Sequence, residues 1–287
     1  MAEQFKKILS GYQEAIDKEI EKFFVRKINQ AEASFEKEVL AWLKEYSLRD
    51  AKRIRPILVN LGYFLAGGQN KKAVLKTSIF VELIHNYLLI HDDIIDKDEL
   101  RRNKKTLHRL YGQEMAICAG DVASALGYEV LSSAPFPVEC RLKALIKLNQ
   151  TLYFTGYGQM LELRLKEKIR QGKKAREEEL SAVHMHKTAF YTLVNPLQIG
   201  ALLAGAPEQF LKKIEKFALP LGIAFQIRDD LADGEIEKVF GFDKAKYQKK
   251  QEQLVAQAKK SLILEKAFPQ KQKEFLLNLA DYTNHKR

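Results

Sequence analysis

Two short acidic segments of the same form hold the chemistry this chain is equipped for: Asp92-Asp93-Ile94-Ile95-Asp96 and Asp229-Asp230-Leu231-Ala232-Asp233. In each, the first and last aspartates stand four residues apart, a spacing that stacks two carboxylates on one face of an α-helix. Like charges so placed oppose the helix that carries them, and a single such pair is commonly a solvated helix end. Two of them, each closing an apolar run, point instead to walls that hold hard divalent cations against a phosphate-bearing ligand. Magnesium suits that arrangement, because it usually binds through one or two carboxylates, waters and substrate phosphates.

The cations a diphosphate needs lie close by in sequence. Arg101-Arg102 follows the first cluster, and Lys52-Arg53-Ile54-Arg55-Pro56 opens an earlier helix. Arginine matches phosphate oxygens bidentately, whereas lysine acts as a point charge. Pro56 fits a first helical turn, leaving backbone N–H groups to face an anion. Gln226 shares a helix face with Asp229 and Asp233, as a core amide or as a ligand contact. Lys187-Thr188 sits within an apolar stretch, where an unpaired lysine is costly unless it snorkels. His85 lies two helical turns before Asp92 on the same face, as a core histidine or a ligand contact.

The elements that must position these residues are helices. Apolar residues recur at three- and four-residue spacing in Phe5-Leu9-Tyr12-Ile16-Ile20-Phe23-Phe24 and in Ile57-Leu58-Leu61-Phe64-Leu65. Gly67-Gly68 closes the second of these. A long helix from about 71 to the first cluster is apolar nearly all round at Ile79–Ile84, the mark of a helix buried inside a bundle. Further helices are expected around 113–134, 138–168, 177–204 and 207–233, with two amphipathic ones after them. Strand and hairpin signals are almost absent. The turn at Pro135–Pro137 and the loop at 171–174 do not resemble linkers, so one all-α domain over 1–287 is expected.

Composition removes other classes. The chain has 287 residues, is 46% hydrophobic and carries a formal net charge of +11. That charge admits nucleic acid, an anionic membrane or a polyanionic small substrate. No nucleic-acid motif accompanies it, and the lysines from Lys244 to Lys260 read as a solvated helix face. Polar residues interrupt every apolar run, so no transmembrane segment is expected, and the N-terminus lacks a signal peptide's apolar core. Cys118 and Cys140 have no metal-ligand spacing and read as thiols of a reducing cytoplasm.

Taken in order, AKRIRP (51–56), ELIHNYLLIHDDIID (82–96), RRNKKTLH (101–108), AGD (119–121), GYGQ (156–159), KT (187–188) and AFQIRDDLAD (224–233) resemble the trans-isoprenyl diphosphate synthases, the short-chain head-to-tail prenyltransferases. The resemblance implies a helical bundle of the isoprenoid synthase type around a central cavity. It also implies that Asp92 and Asp96, supported by Asp93, and Asp229 and Asp233 hold three Mg2+ on an allylic diphosphate. Arg101, Lys187, Thr188 and Gln226 would contact that substrate. Lys52, Arg55, His85 and Arg102 would bind the diphosphate of isopentenyl diphosphate. A homodimer, metal-assisted ionisation and attack by the isopentenyl double bond are implied too. An aromatic residue five positions before Asp92, here Tyr87, resembles the archaeal-type geranylgeranyl synthases and implies a C20 product, with C15 next. By ideal helix geometry Leu88, roughly 6 Å along the axis, lies more nearly below Asp92 than Tyr87 at roughly 7.5 Å.

The sequence also departs from the family pattern. Asp50 and Ala51 stand where glycines are usual, as does Asn103. After Asp233 the segment Gly234–Gly241 runs straight toward the final helices, with no counterpart of the family's lysine-bearing lid. Two other readings follow: a non-catalytic partner subunit, or a terpene cyclase. Intact acidic clusters oppose the first, and the basic groups for a second diphosphate oppose the second.

Overall fold

The computed structural model describes residues 2–284, which divide into two compact units. The first comprises residues 6–60 and 70–141, and the second residues 61–69 and 142–284 with the first few residues of the chain. Both are helical, as the periodicity predicts.

The first unit contains most of α1 (Ala2–Gln30), α2 (Ser34–Ser47), the start of α3 (Ile54–Leu65), α4 (Lys71–Asp96), α5 (Leu107–Tyr111) and α6 (Gln113–Ser132). Asn70 caps α4 by accepting from the Ala73 N–H at 3.0 Å, and Lys97 ends it in the left-handed region. Phe80, Leu83 and Ile84 are fully buried on it. Gly127 of α6 lets the two helices close together, since a Cβ there would stand 2.8 Å from Ile84. Contrary to the sequence expectation, one window of α4 is long and apolar enough to cross a bilayer, with mean hydropathy 1.4. About two thirds of it (67%) is buried in the protein, which accounts for its composition as that of a core helix.

A second departure lies just after α4. Strands β1 (Leu100–Arg101) and β2 (Lys104–Lys105) pair in a small antiparallel hairpin that the sequence reading missed. Its turn residues Arg102 and Asn103 have φ of 55° and 60°, as a type I′ turn requires. Arg49, at the end of α2, fixes this hairpin by donating to the carbonyls of Arg101 (3.3 Å) and Lys105 (3.0 Å).

The second unit contains most of α7 (Val138–Arg170), α8 (Glu177–Val183), a π-helix (His184–Val194), α9 (Asn195–Leu203), α10 (Glu208–Asp233), the short α11 (Glu235–Lys238), α12 (Lys244–Leu264) and α13 (Gln270–Asn284). One helix was expected over 177–204; the chain instead widens into π geometry in the middle. Helix α10 packs mainly against α12 and the π-helix. Leu165, Leu180, Val183, Ile227, Ile236, Phe240 and Tyr247 form a buried cluster under its C-terminal half.

Candidate functional site

The site residues read from the sequence fall into two half-sites, one in each unit. In the first, Asp92 and Asp96 close α4 as expected, Asp92 half-buried and Asp96 exposed. Asp93 points elsewhere. It is buried, it accepts from the Tyr46 hydroxyl at 2.9 Å, and it pairs with Arg101, whose Nε lies 2.6 Å away. Burial raises its carboxyl above the ordinary range against the pull of Arg101. Asp93 therefore braces the cluster from behind. Arg101, expected to meet substrate, is held between Asp93 and Asp98.

A group of cations lies alongside. Arg55 donates to His85 Nε2 at 3.2 Å, and Arg102 approaches Glu82 at 3.6 Å. Burial, then the neighbouring Arg55 and Arg102, hold His85 well below the ordinary imidazole range, so it is neutral. Burial and the repulsion of Arg53 and Arg55 lower Arg102, against the attraction of Glu82. Positive charge thus outweighs negative here, as an anion site requires. Arg53 has a different part from its neighbours in the motif. Its buried guanidinium reaches Asp17 (2.7 Å) and Glu82 (2.6 Å) and donates to the Ser47 and Arg49 carbonyls, from a backbone with φ of 53°. Lys52 is exposed just before α3. Tyr87 packs edge-on against His91 with centroids 4.7 Å apart, and Leu88 is half-buried beside it.

The second half-site repeats the pattern of the first. Asp229 is half-buried, Asp233 exposed and the middle Asp230 buried. Gln226 donates to Asp230 Oδ1 at 2.6 Å, so its amide N–H is directed into the protein. His184 meets the other oxygen, Oδ2, at 2.7 Å. Arg228, stacked over Phe225, pairs with Asp229 at 2.7 Å. Lys187, on the π-helix, forms an ion pair with Glu162 of α7, which also takes Lys166 at 2.7 Å. Burial would raise Glu162, but Lys187 and Lys166 outweigh it and hold the carboxyl low. Thr188 follows, half-buried. An open cleft beside the π-helix, lined by Tyr157, Arg164, Lys168, Arg176 and His186 among others, contains none of the candidate metal- or substrate-binding residues.

The donor set fits magnesium. Among the described residues no three His, Cys, Asp or Glu side chains gather into a cage. Magnesium needs none, since waters and substrate phosphates normally complete its octahedron around one or two carboxylates. The accessible pairs Asp92/Asp96 and Asp229/Asp233 offer such hard oxygen ligands, while Asp93 and Asp230 face inward.

Sequence reasoning missed Tyr46, Arg49, Arg53, Glu82, Glu162 and His184. Arg53 and Glu82 lay within motifs, and Tyr46, Arg49, Glu162 and His184 come from segments outside them.

These helices have the architecture of the isoprenyl synthases. The structure superposes on geranylgeranyl pyrophosphate synthetase from Geoglobus acetivorans with a TM-score of 0.84, at 24% identity over 97% of this chain and 100% of that one. The geranyltransferase from Helicobacter pylori 26695 gives 0.78 at 25% identity, covering 95% and 98%. The chain belongs to the Polyprenyl synthetase family, whose sequence pattern matches residues 36–287. It is 34% identical to a geranylgeranyl pyrophosphate synthase of Geoglobus acetivorans over 229 residues, 78% of this chain and 66% of that one. It is 37% identical to geranylgeranyl pyrophosphate synthase 9, chloroplastic, of Arabidopsis thaliana over 193 residues, 65% and 52% of the two. The chain thus spans about half to two thirds of the length of these relatives.

Proposed function

We propose that this chain is a prenyltransferase that condenses isopentenyl diphosphate with an allylic diphosphate to give a short all-trans product, C20 or C15, and pyrophosphate. The observation that supports it best is the repeated acidic cluster, each with two accessible carboxylates and a braced middle aspartate, within a chain of this family. A geranylgeranyl pyrophosphate synthase from Corynebacterium glutamicum with the same fold (TM-score 0.85, 22% identity over 97% of this chain and 99% of that one) is known complexed with isoprenyl diphosphate and magnesium.

In this reading Asp92, Asp96, Asp229 and Asp233 hold Mg2+, three ions per site. Bound there, magnesium supplies charge stabilisation for a departing diphosphate. Lys187 and Thr188 orient the allylic substrate, with Arg101 and Gln226 holding Asp93 and Asp230 behind the outer carboxylates, and Lys187 exchanges its ion pair with Glu162 for a phosphate oxygen. Lys52, Arg55, His85 and Arg102 bind isopentenyl diphosphate. Neutral His85, acting as acceptor for Arg55, keeps that guanidinium directed. Loss of diphosphate leaves an allylic cation, the isopentenyl double bond attacks it, and the proton then lost goes to the pyrophosphate. Apolar walls exclude water from the cation. Tyr87 and Leu88 set product length.

Incubation with Mg2+, labelled isopentenyl diphosphate and C5, C10 or C15 allylic primers, followed by chromatography of the dephosphorylated products, tests this. A C15 or C20 alcohol that disappears with chelator is expected; no product from folded protein would remove the reading. Tyr87→Ala should lengthen the product, and an unchanged length in active enzyme would exclude Tyr87 as the floor.

The observation favouring a second reading, a non-catalytic partner subunit, follows Asp233. Only the four-residue α11 and a short turn separate the acidic helix from α12, which leaves no room for a lysine-bearing lid. The same assay decides it. We infer a cytoplasmic homodimer, supported by exposed Leu142 (56%), Tyr153 (69%) and Met160 (62%) along α7. Tyr153→Glu with Met160→Glu should halve the mass in sedimentation, and an unchanged mass would place the contact elsewhere.

A further inference from the structure

The buried pair of His184 and Asp230 has no part in the mechanism above. His184 is the first residue of the π-helix, and its side chain is only 2% exposed against 6% for Asp230. Its Nε2–H donates to Asp230 Oδ2 at 2.7 Å while Gln226 occupies Oδ1. Both oxygens of Asp230 are thus held, one from its own helix and one from the π-helix.

That contact stands at a place where the backbone needs an anchor. π geometry is rare and usually limited to single turns, yet here it runs for 11 residues and carries Lys187 and Thr188. Two glycines make room for it. A Cβ on Gly158 of α7 would lie 2.3 Å from the Lys187 nitrogen, and one on Gly222 of α10 would lie 2.8 Å from Ala189 Cα. The widened backbone is seated between these helices, and on its α7 side His186 stacks on Phe154 and Lys187 pairs with Glu162. The polar link at its entry is His184 to Asp230, one residue from Asp229 and three from Asp233.

We propose that His184 is a positioning residue: it locks the entry of the π-helix to the second acidic helix, and so sets where Lys187 and Thr188 stand relative to Asp229 and Asp233. The consequence for ligands rests on the prenyltransferase reading; the lock itself does not.

The test compares His184→Leu, which keeps apolar bulk but cannot donate, with His184→Gln, whose amide N–H can take the place of Nε2–H. Two readouts are made on the full chain. The first is hydrogen exchange of peptides covering 184–194 without ligand. Protection there should fall in His184→Leu and be retained in His184→Gln, with peptides of α12 unchanged in both. The second is calorimetric binding of inorganic pyrophosphate with Mg2+. Affinity should drop about tenfold or more in His184→Leu, the scale of a lost hydrogen bond to a charged group, and stay near wild type in His184→Gln. If His184→Leu fails to fold, His184→Asn, too short to reach Asp230, replaces it. Unchanged exchange or unchanged pyrophosphate affinity in the non-donating variant overturns the proposal. So does equal damage from the glutamine, which would show that only the ring's shape matters. Wild-type protein that binds no Mg2+–pyrophosphate would count against the prenyltransferase reading, and the exchange measurement would still judge the lock.

Discussion

At the scale of single residues, the aspartates of each cluster divide into two kinds. Asp92, Asp96, Asp229 and Asp233 are accessible, and Asp92→Ala should reduce turnover by at least about a thousandfold at unchanged melting temperature, the scale of losing a group that stabilises developing charge. Tyr46→Phe acts differently, because it removes one donor to buried Asp93. A loss of about 1–3 kcal/mol in chemical denaturation is expected. His85 gives a pH signature. Its imidazole is held well below its ordinary value by burial and then by Arg55 and Arg102. The unfolded chain therefore binds a proton below about pH 6.5 that the folded chain does not, and stability falls as pH drops through that value. The slope from this group approaches about 1.4 kcal/mol per pH unit. Denaturation between pH 7.5 and 5.5 should show a shallower loss in His85→Gln than in wild type.

At the scale of elements, the helices were legible because their apolar spacing is a local signal. Lys71–Asp96 and Glu208–Asp233 begin and end close to where the sequence places them. The hairpin at 100–105 was not legible: its turn uses Arg102-Asn103 instead of a glycine pair, and Arg49, from the turn after α2, holds it in place. The π-helix was equally hidden, since its room comes from Gly158 and Gly222 on other helices. The same reasoning explains Arg53. Sequence placed it in a phosphate-binding motif, but only tertiary packing brings Glu82 and Asp17 to its guanidinium. Arg53→Met leaves Glu82 buried without its main counter-charge, and a loss of about 3–5 kcal/mol in denaturant melts is expected.

At the scale of the whole molecule, charge and family agree. A net charge of +11 suits the two polyanionic substrates proposed above. Under the proposed function, the KM for isopentenyl diphosphate should rise several-fold between about 0.05 and 0.5 M salt, as screening shortens the reach of the basic groups. A salt-independent KM would confine recognition to buried contacts. The acidic clusters themselves were legible as stacked carboxylate pairs at two helix ends, whereas the inward setting of their middle residues was not, because spacing along a helix cannot tell which carboxylate meets a partner from another element.

The two inward aspartates have a consequence for how this chain tolerates change. A variant library scored separately for cellular abundance and for catalysis should split each acidic cluster. Substitutions at Asp92, Asp96, Asp229 and Asp233 would leave abundance intact and remove catalysis, whereas those at Asp93 and Asp230, with Tyr46, Arg101, Gln226 and His184 arranged around them, would deplete the protein itself. An inherited loss at a middle position would then be a defect of supply, open to rescue by lower temperature or by chaperones, whereas a loss at an outer position would not.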